Sequence, residues 1–185
     1  MNNAPRQREI IEQTRTELVY DPFLIREKIN ESIDNNSSLY YHAIGFYADI
    51  AKNEEVAQEI IKASLEKNVP VNVAFALAFV ESSFNPNAVN ENSNGSVDRG
   101  LFQINSDYFE GVDWFDVSDS TDTGLTFLRE MYERYGSWEV ATLMYNAGSV
   151  GNVSDFSLRH MQQVIQKERE LNVKFNTFRR NIGER

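Results

Sequence analysis

Cysteine is absent from the sequence, which excludes disulfide frameworks, thiol nucleophiles and thiolate-bound metals while leaving both reducing and oxidising compartments open. Histidine is scarce. His42 and His160 stand alone, without the spacing of a metal-ligand pair, and read as solvated or packing residues. Basic residues are in deficit: 18 Lys and Arg against 28 Asp and Glu give a net charge of −10 over 185 residues. Such a chain repels nucleic-acid phosphates and anionic membrane surfaces, so neither is an expected partner. The longest apolar region, Val69 to Val80, is too short to span a bilayer. The start MNNAPRQREII lacks the basic-then-apolar pattern of a secretory leader, so the expectation is a soluble chain whose export signal, if the protein works outside the cytoplasm, has either been removed or is supplied some other way. No Gly-rich phosphate loop, Ser-His pairing, internal repeat or low-complexity tract stands out, and no metal or cofactor is expected.

What is present suits one globular unit. A content of 41% hydrophobic and 12% aromatic residues supplies one sizeable core. Helical patterns dominate. Asp21-Pro22 is a helix-start signal ahead of Phe23, Leu24, Ile25, Ile29 and Ile33, and the residues from Asn36 to Ser38 read as a break. A second helix is expected over Leu39 to Ala51, and a third from an Asn53 cap through Val56, Ile60, Ile61 and Leu65. Pro70 then opens VNVAFALAFVES, which is apolar on nearly every face and reads as a buried central helix. Between Phe84 and Asn105 the chain turns rich in Asn, Ser and Gly, with the hairpin dipeptide Asn94-Gly95 ahead of the strand-like LFQIN. Helices resume over Asp119 to Tyr135, over Trp138 to Ala147 with Ser137 as cap and Gly148 as terminator, and over Ser157 to Leu171. The expected fold is all-α, a helical bundle around a buried central helix with a small β-hairpin excursion. Residues 1–52 read as an N-terminal helical extension, 53–176 as the main domain and 177–185 as a C-terminal tail.

The polar end of the central helix carries Glu81, just after Phe79 and Val80. A carboxyl group withdrawn from water resists ionisation, and the partial negative charge of a helix C-terminus acts in the same direction. A carboxylic acid kept protonated is what glycosidic cleavage requires, because the leaving sugar oxygen must gain a proton as its bond breaks. Taken alone, a glutamate at a helix end reads more simply as a solvated terminus, so its surroundings decide.

The segment FVESSFNPNAVNENSNGSVDRGLFQINSDYF, with ATLMYNAG at 141–148, resembles the lysozyme-like transglycosylase domain in three ordered blocks. These are a Glu-Ser pair with Phe-Asn-Pro, a Gly-Leu-x-Gln-Ile strand and a Tyr-Asn-Ala-Gly motif. The resemblance covers roughly Glu54 to Phe175 and implies an α+β lysozyme-like fold acting on peptidoglycan glycan strands in the cell envelope, periplasmic or otherwise extracytoplasmic. It implies Glu81 as general acid and Ser82 as its neighbour at the substrate site. Gln103 would line the sugar cleft from the strand, and Tyr145 and Asn146 would face Glu81 across it. Alternation fits the second of these, since a strand turns Gln103 away from Phe102 and Ile104. Phe84 and Pro86 read as loop anchors. The chain departs from the family where a Thr and, three residues on, a Tyr are usual in the last helix. Ser157 and His160 stand there instead, which unsettles that helix's substrate contacts.

Asp98 opens two chemistries. Its spacing from Glu81, 98 − 81 = 17, and the run GSVDRGLFQINS also resemble animal-type lysozymes, in which such an aspartate, about 5 Å from the acid, is the nucleophile of a retaining hydrolase. In a transglycosylase the muramic acid 6-hydroxyl attacks instead, Glu81 turns from acid to base, and the product is a 1,6-anhydro sugar. The Tyr-Asn-Ala-Gly block favours the transglycosylase, with Asp98 as an auxiliary; a salt bridge to Arg99 or a turn cap is the plainer reading of Asp98. Asn90, Asn92, Asn94, Gly95 and Asp98 also fall on positions of a calcium loop, but Leu101 stands where its bidentate Glu belongs, so calcium is not expected. From another class, a wall-binding or assembly protein would keep the fold without turnover. The N-terminal helices would then dock it to a larger envelope machine.

Overall fold

The computed structural model describes residues 29–34 and 36–183. The helix start expected at Asp21-Pro22, with Phe23, Leu24 and Ile25, lies outside them. Residues 29–34 are helical, and Ile29 and Ile33 from that pattern are both buried. Helix α1 (Ser37–Ala51) follows, its N-cap Asn36 accepting from the Leu39 amide at 3.0 Å. Helix α2 (Glu54–Glu66) is capped by Asn53, which accepts from the Val56 amide, and it carries Glu54 and Glu55 against the positive end of the helix dipole. Both caps satisfy amides that would otherwise lack a partner.

Helix α3 (Val71–Ser82) is the centre of the molecule, buried without a break from Val71 to Ala78. Pro70 precedes it and supplies no side-chain cap. Asn30 does that work from a distance, accepting from the Val71 amide at 2.9 Å and donating to the Val69 carbonyl at 2.8 Å. Asn30 therefore knits the short helical stretch of residues 29–34 to the start of the central helix.

After α3 the chain forms a three-stranded antiparallel sheet, β1 (Val89–Glu91), β2 (Val97–Arg99) and β3 (Ile104–Asn105), in that order. The expected turn at Asn94-Gly95 joins β1 to β2, with the Gly95 amide on the Asn92 carbonyl at 2.9 Å. The expected strand LFQIN is shorter than its pattern suggested: only Ile104 and Asn105 are extended, and Leu101 to Gln103 form turns. The reason is burial. Leu101 and Phe102 are adjacent and both fully buried, whereas a strand would send one of them outward. Gly100 at φ 75° and Gln103 at φ 48° let the backbone coil enough to sink both.

Three helices complete the body. Helix α4 (Val117–Tyr135) is capped by Asp116, and α5 (Trp138–Ala147) by Ser137 and ended by Gly148 as expected. Helix α6 (Asp155–Asn181) starts on a capping box between Ser154 and Ser157. It runs well past the expected end at Leu171 and into the 177–185 segment. Aromatic packing explains the length: Phe175 stacks near Tyr47 at 5.4 Å between ring centroids, and Phe178 lies 5.0 Å from Phe46, both partners on α1. Inside this layer Tyr47 donates a hydrogen bond to Asn72, which donates to Asn172 at 2.6 Å, so one polar chain crosses α1, α3 and α6.

We propose that residues 29–51, although an extension in chain order, complete this core. Deleting residues 1–51 would uncover the α3 and α6 surfaces under Tyr47, and the truncated chain is expected to aggregate; a monodisperse product with parent-like near-UV circular dichroism would refute it. A second prediction concerns Gly124 in α4, where an added Cβ would lie 2.6 Å from the Phe102 Cβ. Gly-to-Ala in a helix normally gains about 1 kcal/mol, but overpacking a tight core costs about 1–3 kcal/mol. Gly124→Ala is therefore expected to lower the melting temperature, and a rise would show that Phe102 yields freely.

Candidate active site

Glu81 stands in the last turn of α3, its side chain 11% exposed. Apolar residues bring it there. The eight buried positions at the start of α3 fix the helix in the core, so its end emerges at the boundary between the helical body and the sheet. Ser82 fastens that end: its hydroxyl donates to the Leu101 carbonyl at 2.7 Å, with the Ala78 carbonyl at 3.1 Å. The acid's helix and the Leu101 turn are thus tied together, leaving Ser82 only lone pairs to offer a ligand.

Glu81 has a partner that the sequence did not reveal. His160, on α6 and 79 positions away, places Nε2 at 2.9 Å from Glu81 Oε1. The reading of His160 as an isolated packing residue is corrected: its side chain is only 7% exposed and it pairs with the acid. A contact across that separation leaves no local pattern. The one available signal was its position in the last helix, where the resemblance led one to expect a tyrosine. His42 does remain apart, exposed on α1 with its ring near Phe178.

Asp98 is held by amides and not by Arg99. Its Oδ1 accepts from Asn105 Nδ2 at 2.7 Å and its Oδ2 from Asn92 Nδ2 at 2.9 Å, and among the described residues it forms no ion pair. Register explains the first contact, because Asp98 on β2 lies directly opposite Asn105 on β3. Asn92 follows β1 at the start of the hairpin turn and also reaches Ser96 Oγ at 3.2 Å. Of the asparagines that suggested a calcium loop, Asn92 donates to this carboxylate, while Asn90 donates to Asn92 and Asn94 accepts from Ser96. No group of three or more His, Asp or Glu side chains among the described residues is arranged to hold a metal ion.

Tyr145 joins the two carboxylates. At the end of α5 it donates its hydroxyl to the Phe102 carbonyl at 2.8 Å. Its ionisation is pushed well above the usual tyrosine range, first by burial and then by the negative charges of Glu81 and Asp98. Both acids thus act electrostatically on the same phenol. Asn146 beside it is half-buried. Gln103 is near as well but not on a strand: its amide nitrogen donates to the Gly100 carbonyl at 3.0 Å and the Ala88 carbonyl at 3.2 Å, so it braces the β1–β3 turn region and presents its carbonyl oxygen elsewhere. Phe84 is the buried loop anchor expected, packed on Phe75 and Phe79.

A family model for the transglycosylase SLT domain matches residues 58–167, which spans α2 to α6 and encloses Glu81, Asp98, Gln103, Tyr145 and His160. The chain belongs to the transglycosylase SLT domain family. Its function at family level is that of a lytic-transglycosylase-like protein of peptidoglycan. This SLT domain is 32% identical over 114 residues to "Invasion protein IagB" of Salmonella typhimurium, covering 56% of this chain and 71% of that one. It is 31% identical over 116 residues to "Protein IpgF" of Shigella flexneri, covering 57% and 76%. A shorter stretch of 33 residues is 67% identical to "Lysozyme-like protein 6" of Homo sapiens, covering 18% and 22%. No solved structure matches the chain. The helical body with its small sheet is that of a lysozyme-like SLT fold, and no helix among the described residues is long and apolar enough to cross a membrane.

Tyr145 gives a test of the site's geometry. Tyr145→Phe removes the tie to Phe102 and is expected to cost about 1 kcal/mol, read as a lower denaturation midpoint. The raised ionisation of this phenol has a definite sign. Above about pH 10 an unfolded tyrosine releases its proton while the buried one does not, so the native state loses stability as pH rises. The Phe variant should show a shallower alkaline decline than the parent; identical slopes would mean that Tyr145 titrates as it does in water.

Proposed function

We propose that this SLT domain cleaves the MurNAc-GlcNAc β-1,4 bond of peptidoglycan glycan strands without water, at the extracytoplasmic wall, with Glu81 as acid and then base. The observation that carries the reading is Glu81 itself, at the end of a buried helix, one oxygen held by His160 and the other without a hydrogen-bond partner among the described residues. A carboxyl group so arranged has one oxygen fixed and one free for proton transfer.

The steps balance within the substrate. As the C1–O4 bond breaks, Glu81 delivers its proton to O4 and the departing sugar leaves as an alcohol. The anomeric carbon gains positive charge, which the Asp98 carboxylate opposes from its amide cradle. The muramic acid 6-hydroxyl then attacks C1, its proton passes to Glu81, and a 1,6-anhydro ring closes with the acid restored. Gln103, Tyr145, Asn146 and Ser82 form or brace the surrounding wall, and no cofactor enters. A second reading, a retaining hydrolase, rests on the same Asp98: a carboxylate held in place by amides on both oxygens is compatible with a nucleophile as well as with an electrostatic aid.

Two variants and one product analysis separate them. Glu81→Gln keeps the shape, cannot donate the proton, and should abolish nearly all turnover. Asp98→Asn should lose about ten- to a few hundred-fold, the effect of about 1–3 kcal/mol of electrostatic assistance, and should still yield anhydro ends by mass spectrometry of digested wall. Reducing ends from the parent, with equal and near-total loss in both variants, would establish the hydrolase. A parent that binds the wall but releases no product would instead mark an assembly protein docked through the N-terminal residues.

A further inference from the structure

We propose that His160 is the positioning residue of Glu81: a neutral imidazole that donates from Nε2 to Oε1 in both protonation states of the acid, and so reserves Oε2 for the proton that reaches the sugar. This rests on the glycosidic role proposed for Glu81. Three observations on α6 and α3 support it. The two side chains are 2.9 Å apart and both nearly buried, so the contact is shielded from competing water. His160 comes from a different helix, so it fixes the acid against rotation from outside α3.

The third observation selects the proton arrangement. Nδ1 of His160 is buried and has no hydrogen-bond partner among the described residues. An imidazolium would leave an N–H there with no acceptor, and so would the neutral tautomer protonated on Nδ1. An orphaned buried donor is rarer and costlier than an orphaned lone pair. The neutral form protonated on Nε2 leaves only a lone pair at Nδ1, and its one N–H points at Glu81. That donor has an acceptor in both states, more strongly in the carboxylate, because a protonated carboxyl group still accepts on its carbonyl oxygen. When the acid gives up its proton from Oε2 and later regains one there, His160 keeps its own proton throughout.

His160→Phe keeps a flat ring and removes the donor. With the acid free to rotate, kcat is expected to fall about ten- to hundred-fold while KM changes little, because misplacing a catalytic group acts on the chemical step. His160→Gln, whose amide N–H reaches about as far as the imidazole Nε2, should restore most of the loss; melting curves confirm that both variants fold. Parent-like kcat in His160→Phe, an effect on KM alone, or Gln as damaged as Phe would overturn the proposal. The tautomer is read without turnover, from the imidazole nitrogen resonances of the ¹⁵N-labelled parent at neutral pH. A protonated Nε2 with a bare Nδ1 is expected, whereas a cation or the Nδ1–H form would refute the assignment. If the parent cleaves nothing while the tautomer stands as expected, it is the proposed reaction that fails and not the Glu81–His160 contact.

Discussion

A helix that is apolar on all sides must be surrounded on all sides, and α3 imposes that condition on the whole molecule. Helices α1, α2 and α6 supply its walls, and the aromatic layer of Tyr47, Phe75 and Phe175 seals one of them. The one polar residue in its buried stretch, Asn72, would cost heavily if left unpaired. It is satisfied by Tyr47 on α1 and Asn172 on α6. That chain of hydrogen bonds sets the rotation of α3 about its axis, and with it the direction in which Glu81 leaves the helix. Packing at one end of the helix thereby fixes chemistry at the other.

The sheet does for Asp98 what the core does for Glu81, by different means. It is too small to bury a face of its own, and its strands span only two or three residues. What it provides is register: pairing Asp98 with Asn105 places donor and acceptor across one rung, while the turn returns Asn92 to the same carboxylate. Tyr145 and Ser82 close the circuit between the two halves through the carbonyls of Phe102 and Leu101. The turn that buries those two residues is therefore the joint of the site, and Gly124 allows Phe102 to sit at its required depth.

Legibility in the sequence followed the range of each interaction. Asn53 and Ser137 declared their helices because a cap acts over three residues, and the end of α5 was marked by Gly148 for the same reason. The central helix was visible because burial on every face shows in composition alone. Glu81 gained its meaning from the ordered motifs, which also led to Tyr145. His160 was misjudged, since nothing within a few residues of it distinguishes a pairing partner from a packing residue, and the partner lies on another helix. Gln103 was placed on a strand because alternation was assumed through Leu101 and Phe102. The competing demand, two adjacent apolar side chains both buried, won over β-periodicity. The amide cradle around Asp98 was open to inference once the Asn94-Gly95 turn fixed the hairpin, but an asparagine-rich loop was weighed against calcium and not against its own carboxylate.

The charge of the protein raises a different question, because a net charge of −10 gives no long-range attraction toward a largely anionic wall. In the proposed reaction that field is unfavourable only to the approach. Burial is the first cause that holds the Tyr145 proton in place and the charges of Glu81 and Asp98 add to it, so the site turns more negative as Glu81 gives up its proton beside Asp98. The sugar carries no charge at C1 in its ground state and becomes positive there as the bond to O4 breaks. A negative site then discriminates between the two, favouring the transition state without tightening the hold on the intact strand. The same logic explains why His160 serves best uncharged. A cation beside Glu81 would offset the field at the point where positive charge develops, whereas a neutral N–H fixes the acid's geometry and leaves that field intact.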